Sequence, residues 1–469
     1  MSKRYRELAK NTWLIAIGNF SSKILMLLLI PLYTSFLTTS EYGVYDLVYT
    51  TVQLLFPVLT VGITESIMVF LLKGKTSSKD VFSTNIKFIF IANIVFGLLV
   101  ALNVVFGIFG EITDYSFLII VFYLLYCLNS CFVQFAKGVD EVRKMAIAGV
   151  IGTAITLLCN ILFLAVFGMG LYGYFLANVL GLLVPTVYLF VSLNLWKYFT
   201  LKNNYKAMKQ MALFSIPLVV NMLAWWVNNM ADRYIITGLY GTGENGLLSV
   251  AYKIPSILTA VSAIFIQAWQ ISAIKESKDS NQTNAFYSKT FFAFSGVLCV
   301  LTGILIVLSK VFAGVLFNND FFGAWVLVPF LLMSSLFNQL SGYIGAILAA
   351  DEKTKAIARS AIVGITANIV LDIALAKLLG PIGITIATMI ASVIIYIMRR
   401  MYSGRVISSR KTPSMVISWI ILIAMSACMS YLDNPIVTSV LFVIVIVIYK
   451  DIYKYCYETI KRKIKYEND

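Results

Sequence analysis

The sequence contains no histidine. That absence excludes His-based acid–base catalysis and His-ligated zinc or haem. Charge is scarce as well. Only 13% of residues are Asp, Glu, Lys or Arg, about half the share of a soluble domain, so the chain cannot clothe a water-facing surface of ordinary size. Cysteine is limited to six. Cys127 and Cys131 stand four apart and share a helix face, but they lack the C-x-x-C spacing of a redox or zinc motif and read as small apolar residues. The triplet Gly74-Lys75-Thr76 resembles the end of a phosphate loop, yet the place of that motif's leading glycine is taken by Val69, so no ATP site is expected.

What the sequence has is apolar length. Of its 469 residues, 60% are hydrophobic, and the mean hydropathy is +0.87. Crossing a hydrocarbon core takes about 20 apolar residues. Fourteen such runs are expected, at 11–36, 43–72, 85–109, 115–136, 145–167, 171–195, 211–238, 246–273, 290–309, 322–350, 360–376, 382–398, 414–431 and 435–449. The predicted class is therefore an all-α, polytopic integral membrane protein with 14 transmembrane helices. The connecting loops are short, which leaves no soluble catalytic domain and permits transport or a reaction inside the membrane.

Lys and Arg number 37 against 22 Asp and Glu, a net charge of +15. Such a balance on a soluble protein points to nucleic acid or an anionic surface. Here 32 of the 37 cations fall in the tails and loops on one side of the expected spans, while the opposite loops carry only Lys310 and Lys377. Positive residues resist translocation, so the rich side is read as cytoplasmic, with both termini on it. The excess charge is then a topology signal with some attraction for anionic headgroups, and no nucleic-acid partner is expected.

The chain also repeats. Thr39, Glu41, Gly43 and Tyr49 match Thr242, Glu244, Gly246 and Tyr252, and Gly152, Asn160 and Gly168 lie at the spacing of Gly364, Asp372 and Gly380. Six spans separate the copies, so both halves share one orientation, a transporter design that places a site between them. The expected organisation is an N-terminal six-helix bundle at 1–200, a C-terminal six-helix bundle at 201–411, and two extra helices with a basic tail at 412–469.

Three cations and four acids fall inside the spans: Lys23, Arg233 and Lys253, with Asp46, Glu65, Asp232 and Asp372. A charge at mid-membrane costs about 2.5–3.5 kcal/mol on insertion scales and normally faces a bundle interior or a wet cavity. Asp46, Thr50, Gln53, Pro57, Thr60 and Thr64 form one polar helical face on the second span. Asn221, Trp225, Asn228 and Asp232 form another on the seventh, and Ser249, Lys253 and Ser256 share a face on the eighth. The hydroxyl positions taken alone read as interhelical adhesion, and Asp232 with Arg233 could be a local pair. Polar faces on several spans fit a water-filled cavity better. Its cations suit phosphate or diphosphate, and Trp225, Trp226, Tyr33, Tyr45, Tyr49 and Tyr252 offer faces for sugar stacking or for interfacial anchoring.

The stretch NTWLIAIGNFSSKILMLLLIPLYTSFLTTSEYGVYDL at 11–47, followed by LLFPVLTVGITES at 54–66, resembles the amino-terminal signature of the Wzx-type O-antigen and capsule repeat-unit flippases. That polysaccharide-transport family belongs to the multidrug/oligosaccharidyl-lipid/polysaccharide exporter superfamily. The resemblance implies alternating-access translocation of a polyprenyl-diphosphate-linked oligosaccharide across the bacterial cytoplasmic membrane, without ATP or a cofactor and with H+ or Na+ as the coupling ion. Polysaccharide polymerase machinery is an expected partner. It further implies that Lys23, Arg233, Lys253, Asn228 and Trp225 line the substrate cavity, with Asp46, Glu65 and Asp232 as partner or coupling acids. Many family members carry an arginine where this chain has Val69. The alternatives are a lipid II flippase or a multidrug/toxin extruder of the same superfamily. An enzyme acting inside the membrane would need paired acids in a substantial outer loop, and those loops offer isolated acids such as Glu41, Glu111 and Asp320.

Overall fold

An apolar run in hydrocarbon has no water to satisfy its peptide groups, so it closes its hydrogen bonds on itself as a helix. The computed structural model describes residues 29–450 except 75, 203, 277–280, 352 and 404–411, with the backbone alone at 228, 264, 267, 268, 271–276 and 281–284. Among the described residues there is no strand. The α-helices are α1 (Ile30–Phe36), α2 (Thr39–Leu59), α3 (Thr64–Lys73), α4 (Ser78–Phe106), α5 (Ser116–Gly138), α6 (Val142–Asn160), α7 (Gly170–Ser192), α8 (Tyr205–Tyr240) and α9 (Thr242–Ala251). They continue as α10 (Lys253–Glu276), α11 (Asn281–Val307), α12 (Ser309–Leu316), α13 (Val328–Ala350), α14 (Thr354–Leu379), α15 (Pro381–Ser403), α16 (Thr412–Leu432) and α17 (Pro435–Ile448).

Eleven helical stretches among the described residues are long and apolar enough to cross a membrane, twelve if α2 and α3 count as one bent span. The expected count of fourteen is not confirmed among the described residues. The first expected span lies outside the described residues except for α1. The last is α17, an apolar helix of 14 residues, which falls short of a full crossing.

The second span is not one straight helix with one polar face. Thr38 starts α2 with a capping box, its hydroxyl accepting from the Glu41 N–H at 3.2 Å while the Glu41 carboxylate accepts from the Thr38 N–H at 2.8 Å. Pro57 then removes a donor from the ladder. Val61 and Gly62 turn into left-handed conformation, at φ 55° and 59°. The chain restarts as α3 at an angle of 50° to α2. The stripe Asp46, Thr50, Gln53 and Pro57 thus lies on α2, while Thr60 falls in the bend and Thr64 opens α3.

The helices pack as two units. One takes the described residues up to Tyr234 together with Gly241–Gly246, and the other takes Ile235–Tyr240 and the described residues from Leu247. Most of α8 therefore packs in the first unit. There the repeated turns meet each other reciprocally. A Cβ on Gly43 would stand 1.9 Å from the Thr242 carbonyl oxygen, and one on Gly246 would stand 1.9 Å from the Thr39 carbonyl oxygen. The Asn245 amide donates to the Gly43 carbonyl at 2.9 Å, and the Ser40 and Thr242 hydroxyls are bonded at 2.7 Å. The other repeated pair of turns needs glycine for its backbone. Gly168, before α7, and Gly380, before α15, have φ of 62° and 72°, where a side chain is strained.

We expect Gly43→Ala to lower the thermal unfolding midpoint of the purified protein, at a cost of about 2 kcal/mol, because backbone oxygen cannot give way as a side chain tip can. Gly97→Ala, on α4 with nothing within 4 Å of the added carbon, is the matched control and should not lower it.

Candidate functional site

The first unit carries a charge pair on two of its spanning helices. Arg233 on α8 donates through Nε to Asp46 Oδ2 on α2 at 2.7 Å, and its Nη1 donates to the Asn229 carbonyl at 3.1 Å. The two side chains are only 10% and 15% exposed, so the pair is largely shielded from water. A charge that is shielded from water is tolerated when paired and hydrogen-bonded. The neighbouring turns reinforce the junction. The buried Trp226 indole donates to the Thr50 carbonyl at 2.8 Å, and the Thr51 and Tyr234 hydroxyls are bonded at 2.5 Å. Tyr234 and Trp226 meet edge to face with centroids 5.4 Å apart. Asp46, Thr50 and Thr51 thus engage Arg233, Trp226 and Tyr234 as a three-point polar seam between α2 and α8.

Beside the pair lies a tyrosine cluster. The Tyr174 ring of α7 stands 4.3 Å from that of Tyr45, 4.8 Å from Tyr33 and 6.1 Å from Tyr42. All four residues are buried. Tyr33 and Tyr45, expected to offer faces to sugars, therefore spend ring surface on Tyr174 instead.

The remaining predicted site residues are distributed more widely. Asp232 is buried beside the pair, 2% exposed, whereas Trp225 is 58% exposed. The buried indole is the neighbouring Trp226. Glu65 sits half-buried in the first turn of α3, beyond the bend, and forms no ion pair with a described residue. Lys253 belongs to the second unit, half-buried at the first residue of α10, just past a break at Tyr252. Lys23 and the Asn228 side chain lie outside the described residues.

The second unit holds an acid that was visible in the sequence but not taken into the predicted site. Asp372 on α14 is fully buried and accepts from the Asn368 amide at 2.9 Å. The signal was the four-residue step between them, which puts an amide donor on the acid's own face.

The model for the family described as polysaccharide biosynthesis protein matches residues 8–270, more than half of the chain. The chain belongs to that family. No curated protein sequence matches it significantly. Its fold is similar to that of solved transporters. The lipid II flippase MurJ in an inward closed conformation is 17% identical and aligns over 95% of this chain and 98% of its own, with a TM-score of 0.65. An inward-facing multidrug resistance MATE family transporter of the MOP superfamily is 14% identical over 83% of this chain and 98% of its own, with a TM-score of 0.59. A MOP superfamily transporter from Pyrococcus furiosus, described as having a binding pocket of reverse polarity, is 13% identical over 84% and 95%, with a TM-score of 0.54. Family membership and these likenesses agree on a multi-pass membrane protein with a MurJ/MATE-type helical fold.

Removing one member of the pair leaves the other charged and shielded from water. We expect Asp46→Asn or Arg233→Gln alone to cost about 3 kcal/mol, and the double variant to cost less than either. Thermal unfolding of the four proteins in one detergent measures the coupling.

Proposed function

We propose that this protein is a flippase rather than an enzyme, translocating a polyprenyl-diphosphate-linked oligosaccharide repeat unit across the bacterial cytoplasmic membrane for capsule or O-antigen-like polysaccharide. In this reading fourteen spans place both termini in the cytoplasm. The six-helix bundles at 1–200 and 201–411 alternate access to a cavity between them, and 412–469 is an addition to the duplicated core. The observation that carries the reading is the shielded Arg233–Asp46 pair, set in membrane-spanning helices of a chain from the polysaccharide biosynthesis family. A guanidinium held near a carboxylate is a cation that a more highly charged anion can claim.

The proposed cycle follows from that exchange. The substrate diphosphate competes with Asp46 for Arg233, with Lys23 and Lys253 adding positive charge to the cavity wall and Asn228 and Trp225 facing the sugars. Once Arg233 is taken, the Asp46 carboxylate must be met by another cation. H+ or Na+ fills that role in the proposal, with Asp232 and Glu65 as further acids on the ion's route. No cofactor is required. Release of the substrate lets Arg233 return to Asp46 and displace the ion, so the two ligands bind and leave together in this proposal. A polysaccharide polymerase is the proposed acceptor of the product.

A lipid II flippase is the second reading, favoured by the likeness to MurJ along 95% of this chain. Complementation of a lipid II flippase-depleted strain separates the two. A cavity with excess positive charge argues against export of cationic drugs by electrostatic repulsion.

We expect Lys23→Ala and Arg233→Ala to lower translocation of the lipid-linked oligosaccharide at least tenfold per inserted molecule. The assay is flipping in proteoliposomes, normalised to membrane-inserted protein. Full translocation by both variants would refute the cavity assignment.

A further inference from the structure

The second unit has a cation that no described acid neutralises. Arg399, in the last two turns of α15, is half-buried against α13 and α14. Its Nε donates to the Ser360 hydroxyl at 3.2 Å, and its Nη1 donates to the Ser341 carbonyl at 3.0 Å. Both partners are neutral, and no described carboxylate lies within ion-pair distance of it. Ser360 gives its own proton to the Ile357 carbonyl at 2.8 Å, so it serves Arg399 as an acceptor. These two bonds leave the guanidinium with further N–H donors.

The described groups in contact with it add space and donors. Gly345 leaves the space: a Cβ there would stand 3.1 Å from Arg399 Nη1, so the bare glycine lets the guanidinium lie along the α13 backbone. The Ser341 hydroxyl oxygen is buried without a hydrogen-bond partner among the described residues. Arg400 follows in sequence, and its Nη1 donates to the Tyr396 hydroxyl at 3.0 Å. Lys353, Lys355 and Arg359 lie around the start of α14, at the same end of the α14–α15 pair. Asp351, the described acid of that turn, is exposed and forms no ion pair with them. Ile397 and Met401, flanking Arg399 on α15, are 48% and 74% exposed, as side chains touching lipid would be.

The repeat argues that the arginine is not a general packing need. The offset that pairs Gly152 with Gly364 puts Val187 of α7 at the place of Arg399, so the first half builds the corresponding position without a charge. A half-buried cation with no acid partner among the described residues is a place where an outside anion can supply the counter-charge. A guanidinium edge fits a phosphate through paired hydrogen bonds, and basic notches between spanning helices near the membrane surface suit anionic head groups.

We propose that the notch formed by Arg399, Gly345 and Ser341, with Arg400 at its rim, binds a phosphate oxyanion, supplied either by an anionic phospholipid headgroup or by free phosphate. This site goes beyond the proposed substrate cavity and does not depend on the transported molecule. The test uses the full chain in nanodiscs of phosphatidylcholine, with phosphatidylglycerol added in one arm and inorganic phosphate in the other. Native mass spectrometry counts retained lipid, and thermal unfolding reports phosphate binding.

We expect wild type to retain phosphatidylglycerol selectively, or to be stabilised by inorganic phosphate, and Arg399→Gln to weaken that binding about tenfold. Lipid retention without phosphate stabilisation assigns the headgroup as the source, and the converse assigns free phosphate. Equal binding by wild type and Arg399→Gln would overturn the proposal. So would wild type showing neither effect, a result that stands even if the variant fails to fold. The oligosaccharide translocation assay is separate, so failure of this site and failure of the flippase reading remain distinguishable.

Discussion

The pairing of Asp46 with Arg233 is the contact on which the first unit turns. Neither α2 nor α8 can carry its charge alone through hydrocarbon, where each costs about 2.5–3.5 kcal/mol at mid-membrane. Bringing the two helices together meets both charges with one short hydrogen bond of 2.7 Å. The other contacts of the seam lie within two turns of that pair, where Thr50 meets Trp226 and Thr51 meets Tyr234. The pair lies within the first unit, which runs on to Tyr234.

Close backbone approach is the second constraint. Where Gly43 and Gly246 meet, each in the position its repeat mate occupies in the other copy, the chain has no room for a methyl group. Where Gly168 and Gly380 turn, it needs a left-handed residue instead. Duplicated glycines therefore mark two different physical requirements, one for space and one for conformation.

Much of this was legible in the sequence because hydrocarbon is a severe solvent. The apolar runs marked the helical stretches found among the described residues, and the rarity of intramembrane charge put Asp46 and Arg233 among seven candidates. What helical periodicity cannot say is which neighbour a polar face meets. Arg233 has Asp232 beside it in sequence, yet its salt bridge is to Asp46, 187 residues away. The same limit hid which of two adjacent tryptophans is buried, since Trp225 and Trp226 differ by one helical step and only packing separates them. Pro57 was counted in the polar stripe of the second span, but the bend also required Val61 and Gly62 to turn left-handed, and valine gives no such signal. Asp372 was visible as a buried acid, and its significance lay in an amide one turn back.

The scarcity of charge finally bears on function. With no histidine and 13% charged residues, the chain has few groups with which to act, and two of them pair across α2 and α8 at Asp46 and Arg233. The central claim is that this pair serves the transfer of a lipid-linked oligosaccharide. Mass spectrometry of polyprenyl-linked intermediates in cells from which the gene has been removed tests it most directly. The account predicts accumulation of a polyprenyl-diphosphate oligosaccharide on the cytoplasmic leaflet, reversed by the wild-type gene and not by Arg233→Ala. An unchanged pool of polyprenyl-linked intermediates, with surface polysaccharide intact, would contradict it.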